Sequence, residues 1–157
     1  LHCLYNFRGE RMHKRFKIID IQEIHKEIKK AKPTFRFLDT ISNLLSTLLI
    51  FRQAKLTEND KLQLEAIAIL IIISLDSINE LPYMNNSIML SDKNNQYDIF
   101  EVKVAEAISR LIKNELEEVN NFATYELIEI ITRGFSCLDE LDADGIKLIK
   151  NYIENNK

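Results

Sequence analysis

The chain has 157 residues, 46% of them apolar, and carries 21 Lys and Arg against 24 Asp and Glu for a formal net charge of −3. One compact domain accommodates this length, and folding at this size buries roughly 70% of the surface the unfolded chain exposes, so neither a metal nor a disulfide is needed to hold it. Three Gly and two Pro exclude collagen-like and proline-rich classes and argue against turn-dense β architectures, while the apolar fraction excludes global disorder.

Cys3 and Cys137 are too few for a disulfide framework and have no metal-ligand spacing around them, which points to a reduced, cytoplasmic compartment. The longest apolar run, Ala66 to Ile73, falls far short of the ~20 residues that cross a membrane and reads as a buried core helix. No apolar run follows the basic N-terminus, so a secretory signal is not expected. The composition, with 23 Ile and 14 Asn against 3 Val, echoes an AT-rich coding sequence and points toward bacteria, phages or protozoa.

Residues 1–16 have no helical or strand period and read as an irregular basic arm, with Met12 a candidate natural start; residues 17–157 read as a single all-α domain, a bundle of five to six helices. The first periodic segment is Lys17 to Lys32, where Ile18, Ile21, Ile24, Ile28 and Ala31 share one face before Pro33. A second helix is expected from about Thr34 or Phe35 to Lys55. Its stripe of Leu38, Ile41, Leu44, Leu45, Leu48 and Leu49 lies opposite a small, polar side of Asp39, Ser42, Asn43, Ser46 and Gln53. Thr57 with Asp60 resembles a capping box that opens a third helix to about Leu81. The β-branched Ile67–Ile73 run makes a buried strand the rival, but the absence of a partner strand favours helix.

Pro82 to Tyr97, rich in Asn and Ser, reads as the longest loop, either a binding element or a mobile connector. Asp98 with Glu101 caps a fourth helix through Val104, Ala107, Ile108, Leu111, Ile112 and Val119. A fifth helix, about Phe122 to Arg133, is expected to bury Tyr125, Ile128 and Ile131, to turn Glu126, Glu129 and Arg133 outward, and to end at Gly134. A short turn around Cys137 to Leu141 precedes a last helix, about Asp144 to Asn155, that uses Ile146, Ile149, Tyr152 and Ile153.

The most motif-like stretch is Glu140-Leu141-Asp142-Ala143-Asp144-Gly145, which spaces oxygen ligands as a helix-loop-helix calcium site does. Lys147 and Asn151 stand where that loop needs an apolar residue and a bidentate Glu, so capping of the last helix by Asp142 and Asp144 is the better account. Arg8 and His13 have the spacing of the Arg and His pair in some helical ribonucleases, the only concrete enzymatic alternative, but Gly9 interrupts the segment. His25, beside an apolar seam, reads as a rim histidine rather than a proton switch. No cofactor, metal site or catalytic residue is expected, because three scattered glycines build no phosphate loop and the paired carboxylates lack the Glu-x-x-His pattern of di-iron bundles.

Charge placement rises above this background. Residues 1–55 hold 12 Lys and Arg against 5 Asp and Glu, a net of +7, which leaves −10 for the remainder. Within residues 115–144, Glu115, Glu117, Glu118, Glu126, Glu129, Asp139, Glu140, Asp142 and Asp144 face only Arg133, a net of −8. Such a field repels nucleic acid and steers a basic protein toward it. The leading expectation is therefore a small acidic helical protein, of the immunity-protein or antitoxin kind, that occludes a basic nuclease-type toxin. The alternative is a helical accessory subunit of a nucleoprotein complex, as a monomer or a dimer, in which Arg8, Arg11, Lys14, Arg15 and Lys17, interleaved with Phe7 and Phe16, touch RNA or DNA. A third account packs the two halves side by side so that they neutralise each other.

Overall fold

In a computed structural model, residues 17–20, 24, 37–78, 87–90, 94–116 and 122–156 are described. They form β1 (Lys17–Asp20), α1 (Phe37–Leu56), α2 (Asp60–Ile78), β2 (Ser87–Leu90), α3 (Gln96–Leu116), α4 (Phe122–Glu140) and α5 (Gly145–Asn155). The architecture is an all-α bundle with one two-stranded antiparallel ribbon attached. No described helix is long and apolar enough to cross a membrane.

The centre is α2. After Lys61 none of its residues is exposed, and Ala66, Ile67, Ala68, Leu70, Ile71, Leu75 and Ile78 are fully buried. A helix that is apolar all round must be covered on every side, and α1, α4 and α5 all pack on it, while α3 closes the layer between α1 and α4. Each β-branched isoleucine gives up a few tenths of a kcal/mol in helix propensity, whereas burying one stabilises by about 2 kcal/mol. Burial therefore decides in favour of helix at Ile67–Ile73, as the lack of a partner strand there suggests. Inside this apolar surround, Ser74 and Ser77 donate to Leu70 O and Ile73 O, and Ser77 Oγ lies 3.1 Å from Thr40 Oγ1, joining α1 to α2.

Helix boundaries follow local hydrogen bonding. Thr57 does not open α2; its hydroxyl donates back to Gln53 O and Ala54 O, closing α1, while Glu58 takes a left-handed φ of 55°. Asn59 provides the cap, its Oδ1 accepting from Leu62 N at 3.1 Å.

Two expectations fail where tertiary partners overrule local period. Lys17–Asp20 is not the first turn of a helix but a strand, paired with Ser87–Leu90 from within the expected loop, with Ile19 opposite Ile88. Ile19, Ile88 and Leu90 are buried while Asp20 and Met89 face out, so the ribbon has the period-two pattern of a half-covered sheet, and β2 packs on α4. Gly134 does not end the fifth helix either, because α4 runs on to Glu140 and absorbs the expected short turn. Its missing side chain serves packing: a Cβ there would lie 2.5 Å from Ile71 Cγ1 and 2.8 Å from Ile71 Cδ1. Gly134→Ala is therefore expected to lower stability by about 1–3 kcal/mol through overpacking, despite the better helix propensity of alanine. Urea denaturation followed by circular dichroism measures this, and a stabilised variant would contradict the close approach.

Candidate functional site

The carboxylates of the acidic segment divide into those already engaged inside the protein and those at one end of the bundle. Glu126, expected to face outward, is 8% exposed, and Arg110 Nε of α3 donates to both of its oxygens at 2.9 and 2.8 Å. The bond to Glu126 is the main reason the Arg110 guanidinium is held above its ordinary pKa. The helix is rotated relative to expectation because Leu127, Ile130, Ile131, Phe135 and Leu138 set its buried face, which leaves Tyr125 70% exposed and Ile128 only partly covered. Glu129 faces Arg133 across one helical turn at 2.7 Å. Glu115 lies in the last turn of α3, whereas Glu117 and Glu118 fall outside the described residues.

Glu140 has a structural task that sequence periodicity does not reveal. Its carboxylate accepts the Gln96 and Tyr97 N–H groups at 2.7 and 3.0 Å, so the end of α4 caps the start of α3 with a negative charge at the positive end of that helix. This moves the start of α3 from the expected Asp98 to Gln96, after Asn95 in a left-handed turn (φ 63°). Asp144 caps α5 by accepting from Lys147 N at 3.2 Å, as expected for the last helix. Asp142, in the turn between them, has a φ of 56°. No three His, Cys, Asp or Glu side chains among the described residues converge to hold a metal ion. Gly145 is small for the sake of Phe135, whose ring carbon Cδ1 would lie 2.9 Å from a Cβ there, rather than for a calcium-loop turn.

These connections gather one acidic pole. Asp60 at the start of α2, Tyr97 at the start of α3 and Leu141 after α4 line a cavity of about 260 Å³ together with Gln63 and Leu64. Tyr97 is its central group. Its hydroxyl donates to Gln63 Oε1, its ring meets Phe51 edge-on, and Lys55 Nζ sits 5.0 Å from its centroid. Burial, then the neighbouring Cys137, Asp60, Asp98 and Glu101, push the Tyr97 phenol above its ordinary pKa. Asp139, Asp142 and Asp144 follow on either side of Leu141. Two leucine walls and the Asp60 carboxylate suit the end of a lysine or arginine side chain, stem on the leucines and charge on Asp60, while the chain's own Lys55 already occupies the Tyr97 ring.

Of these, sequence reasoning had Asp139, Glu140, Asp142 and Asp144 but not Asp60, Gln63, Leu64, Tyr97 or Leu141. The only local hint was Asp60, read as a cap. Arg8, Arg11, Lys14 and Arg15 lie outside the described residues, as do His13 and His25; Lys17 opens β1, with its side chain outside the description. Cys137 is buried in α4, and burial together with the nearby Glu140 pushes its thiol up to about 12, so it stays protonated and unreactive at neutral pH. Comparisons with protein-family models, curated proteins and solved structures returned no match.

Two measurements follow. Glu140→Ala leaves two α3 N–H groups without their anionic acceptor and is expected to cost about 1–2 kcal/mol, against about 0.5 kcal/mol for Glu129→Ala in its half-buried one-turn pair, both read from chemical denaturation. For Cys137, the ordinary value of 9.0 applies once the chain unfolds. Between that pH and about 12 the folded form holds a proton that the unfolded form has lost. The Cys137 contribution to stability is therefore intact below pH 9 and declines as pH rises through that window. A Cys137→Ala chain should show a shallower alkaline loss in a pH series of melting curves.

Proposed function

We propose that the chain is a small protein-binding module that engages a basic protein through the acidic pole, in the manner of an immunity protein or antitoxin occluding a nuclease-type toxin. The observation that carries this reading is the Tyr97 cavity, which offers a lysine or arginine anchor two leucine walls and an acidic rim of Asp60 with Asp98 nearby, while Asp139, Asp142 and Asp144 flank Leu141 along the chain. Buried aromatic pockets that receive a basic side chain are typical high-energy centres of interfaces, and the surrounding negative field raises the encounter rate with a cationic partner.

The surface is drawn around the cavity rather than around Glu126 and Glu129, whose carboxylates already serve Arg110 and Arg133. Glu140 contributes from behind, holding Tyr97 in place through its backbone N–H. Partner lysines and arginines that otherwise bind phosphate would pair with the rim carboxylates, which blocks the partner's nucleic-acid surface by both charge and bulk.

The test uses the full chain and the basic product of the gene beside its own, titrated by calorimetry at low and high salt. Binding that weakens steeply with salt is expected, with about a tenfold loss, ~1.4 kcal/mol, in an Asp60→Asn variant. Affinity unchanged in that variant, or absence of binding at low salt, would refute the assignment.

A further inference from the structure

The outer face of α1 carries a seam that the core does not use. Leu38, Ser42, Leu45, Leu49, Arg52 and Leu56 recur at alternating four- and three-residue steps along five turns, and all six are exposed. The leucines among them are 78%, 42%, 67% and 68% exposed at positions 38, 45, 49 and 56. At 3.6 residues per turn the four leucines fall within an arc of about 40°. The buried residues Thr40, Leu44, Thr47, Phe51 and Ala54 lie on the other side of the helix, against α2 and α3. Alternating steps of three and four with apolar residues are the pattern of a two-helix knobs-into-holes seam, yet no described element packs on it.

We propose that this seam pairs with the same seam of a second copy of the chain, the two α1 helices running antiparallel about a two-fold axis level with Thr47. Leu38 and Leu56 are equally distant from Thr47 along the helix, and so are Leu45 and Leu49, so this axis sets leucine on leucine in four layers. The remaining two layers set Ser42 of one copy beside Arg52 of the other. Charge selects this arrangement over the parallel one. A parallel pair would bring Arg52 against Arg52, whereas the antiparallel pair meets each guanidinium with a small hydroxyl and leaves its ion pair with Glu101 in place. Isologous self-complementarity of this kind is what a two-fold dimer requires.

The contact is a narrow one. A face about 30 Å long and about 10 Å wide gives a footprint of a few hundred Å² per copy, below the ~800 Å² per partner of a standard stable interface. The dimer therefore forms and dissociates with concentration rather than being permanent. None of the seam residues lines the Tyr97 cavity, whose walls come from the starts of α2 and α3 and the residue after α4.

Sedimentation velocity of the full chain from low micromolar to near-millimolar concentration reads the assembly directly. A reversible monomer–dimer shift is expected, weakened at least tenfold by Leu45→Glu/Leu49→Glu, with far-UV circular dichroism and melting unchanged because both side chains face solvent in the monomer. The milder Leu38→Gln/Leu56→Gln variant tests the ends of the seam should the first pair disturb folding. With Cys3 and Cys137 replaced by Ala, mixed Leu38→Cys and Leu56→Cys chains should form the crossed disulfide on oxidation. A chain that stays monomeric throughout overturns the proposal and leaves the seam to another segment or another protein. A dimer that survives the glutamates, or a disulfide joining Leu38→Cys chains to each other, overturns it equally.

Discussion

A helix with no side for water constrains everything around it. From Leu62 to Ile78 no residue of α2 is exposed, with a stripe through Glu65, Ile69, Ile72 and Asp76 left half-buried, and a cylinder of that kind is stable only inside a sleeve of other elements. Three helices supply the sleeve, and their own amphipathic faces are set by it: α1 turns Leu44 and Phe51 inward, α4 turns Leu127, Ile131 and Leu138, and α5 contributes Ile149. The closest approach is made where α4 has no side chain at all, at Gly134 over Ile71. Once α4 is pinned there, its rotation is fixed, and with it the inward position of Glu126 and the reach of Arg110 to both of its oxygens.

The same rotation and length of α4 deliver Glu140 to the start of α3. A carboxylate placed at two backbone N–H groups of another helix ties three elements into one corner, since Tyr97, immediately inside α3, also bonds Gln63 of α2. The acidic pole is therefore a by-product of helix capping as much as a collection of surface charge. Asp60 and Asp144 sit where helix N-termini favour anions, and Glu140 supplies the third. Partial satisfaction by helix ends allows this many carboxylates to crowd one end of a small domain without severe mutual repulsion, and it leaves the rim negative toward any approaching partner.

Local pattern was a good guide wherever a single helix face faced a single core. The existence of α1 and α2, the Asp144 cap and the burial of Ile24, Leu44, Val104, Leu111 and Ile149 are legible from three- and four-residue spacing, but Leu38, Leu45 and Leu49, expected in the core stripe of α1, are exposed because α2 and α3 take up only the Leu44–Phe51 side. Spacing misled where two elements compete for one residue. Ile18 fits a helical stripe with Ile21 and Ile24, but its pairing with Met89, and that of Ile19 with Ile88, depends on a segment some seventy residues away that looks like a loop, and a four-residue strand carries too short a pattern to announce itself. Tyr125 and Glu126 exchanged their expected positions for a related reason: a polar residue is read as outward, and only the arrival of Arg110 from α3 makes its burial affordable.

The amino-acid sequence by itself determined the helical class, the central buried helix and the crowding of negative charge into residues 115–144, because each of these is a property of periodicity or composition along the chain. Only the tertiary structure decided which carboxylates are engaged in capping and ion pairing, that Asp60, Tyr97 and Leu141 meet in one cavity, and that the leucine seam faces away from the core. Those facts depend on the rotation and end-to-end placement of whole helices, which the packing around α2 sets and no local spacing encodes.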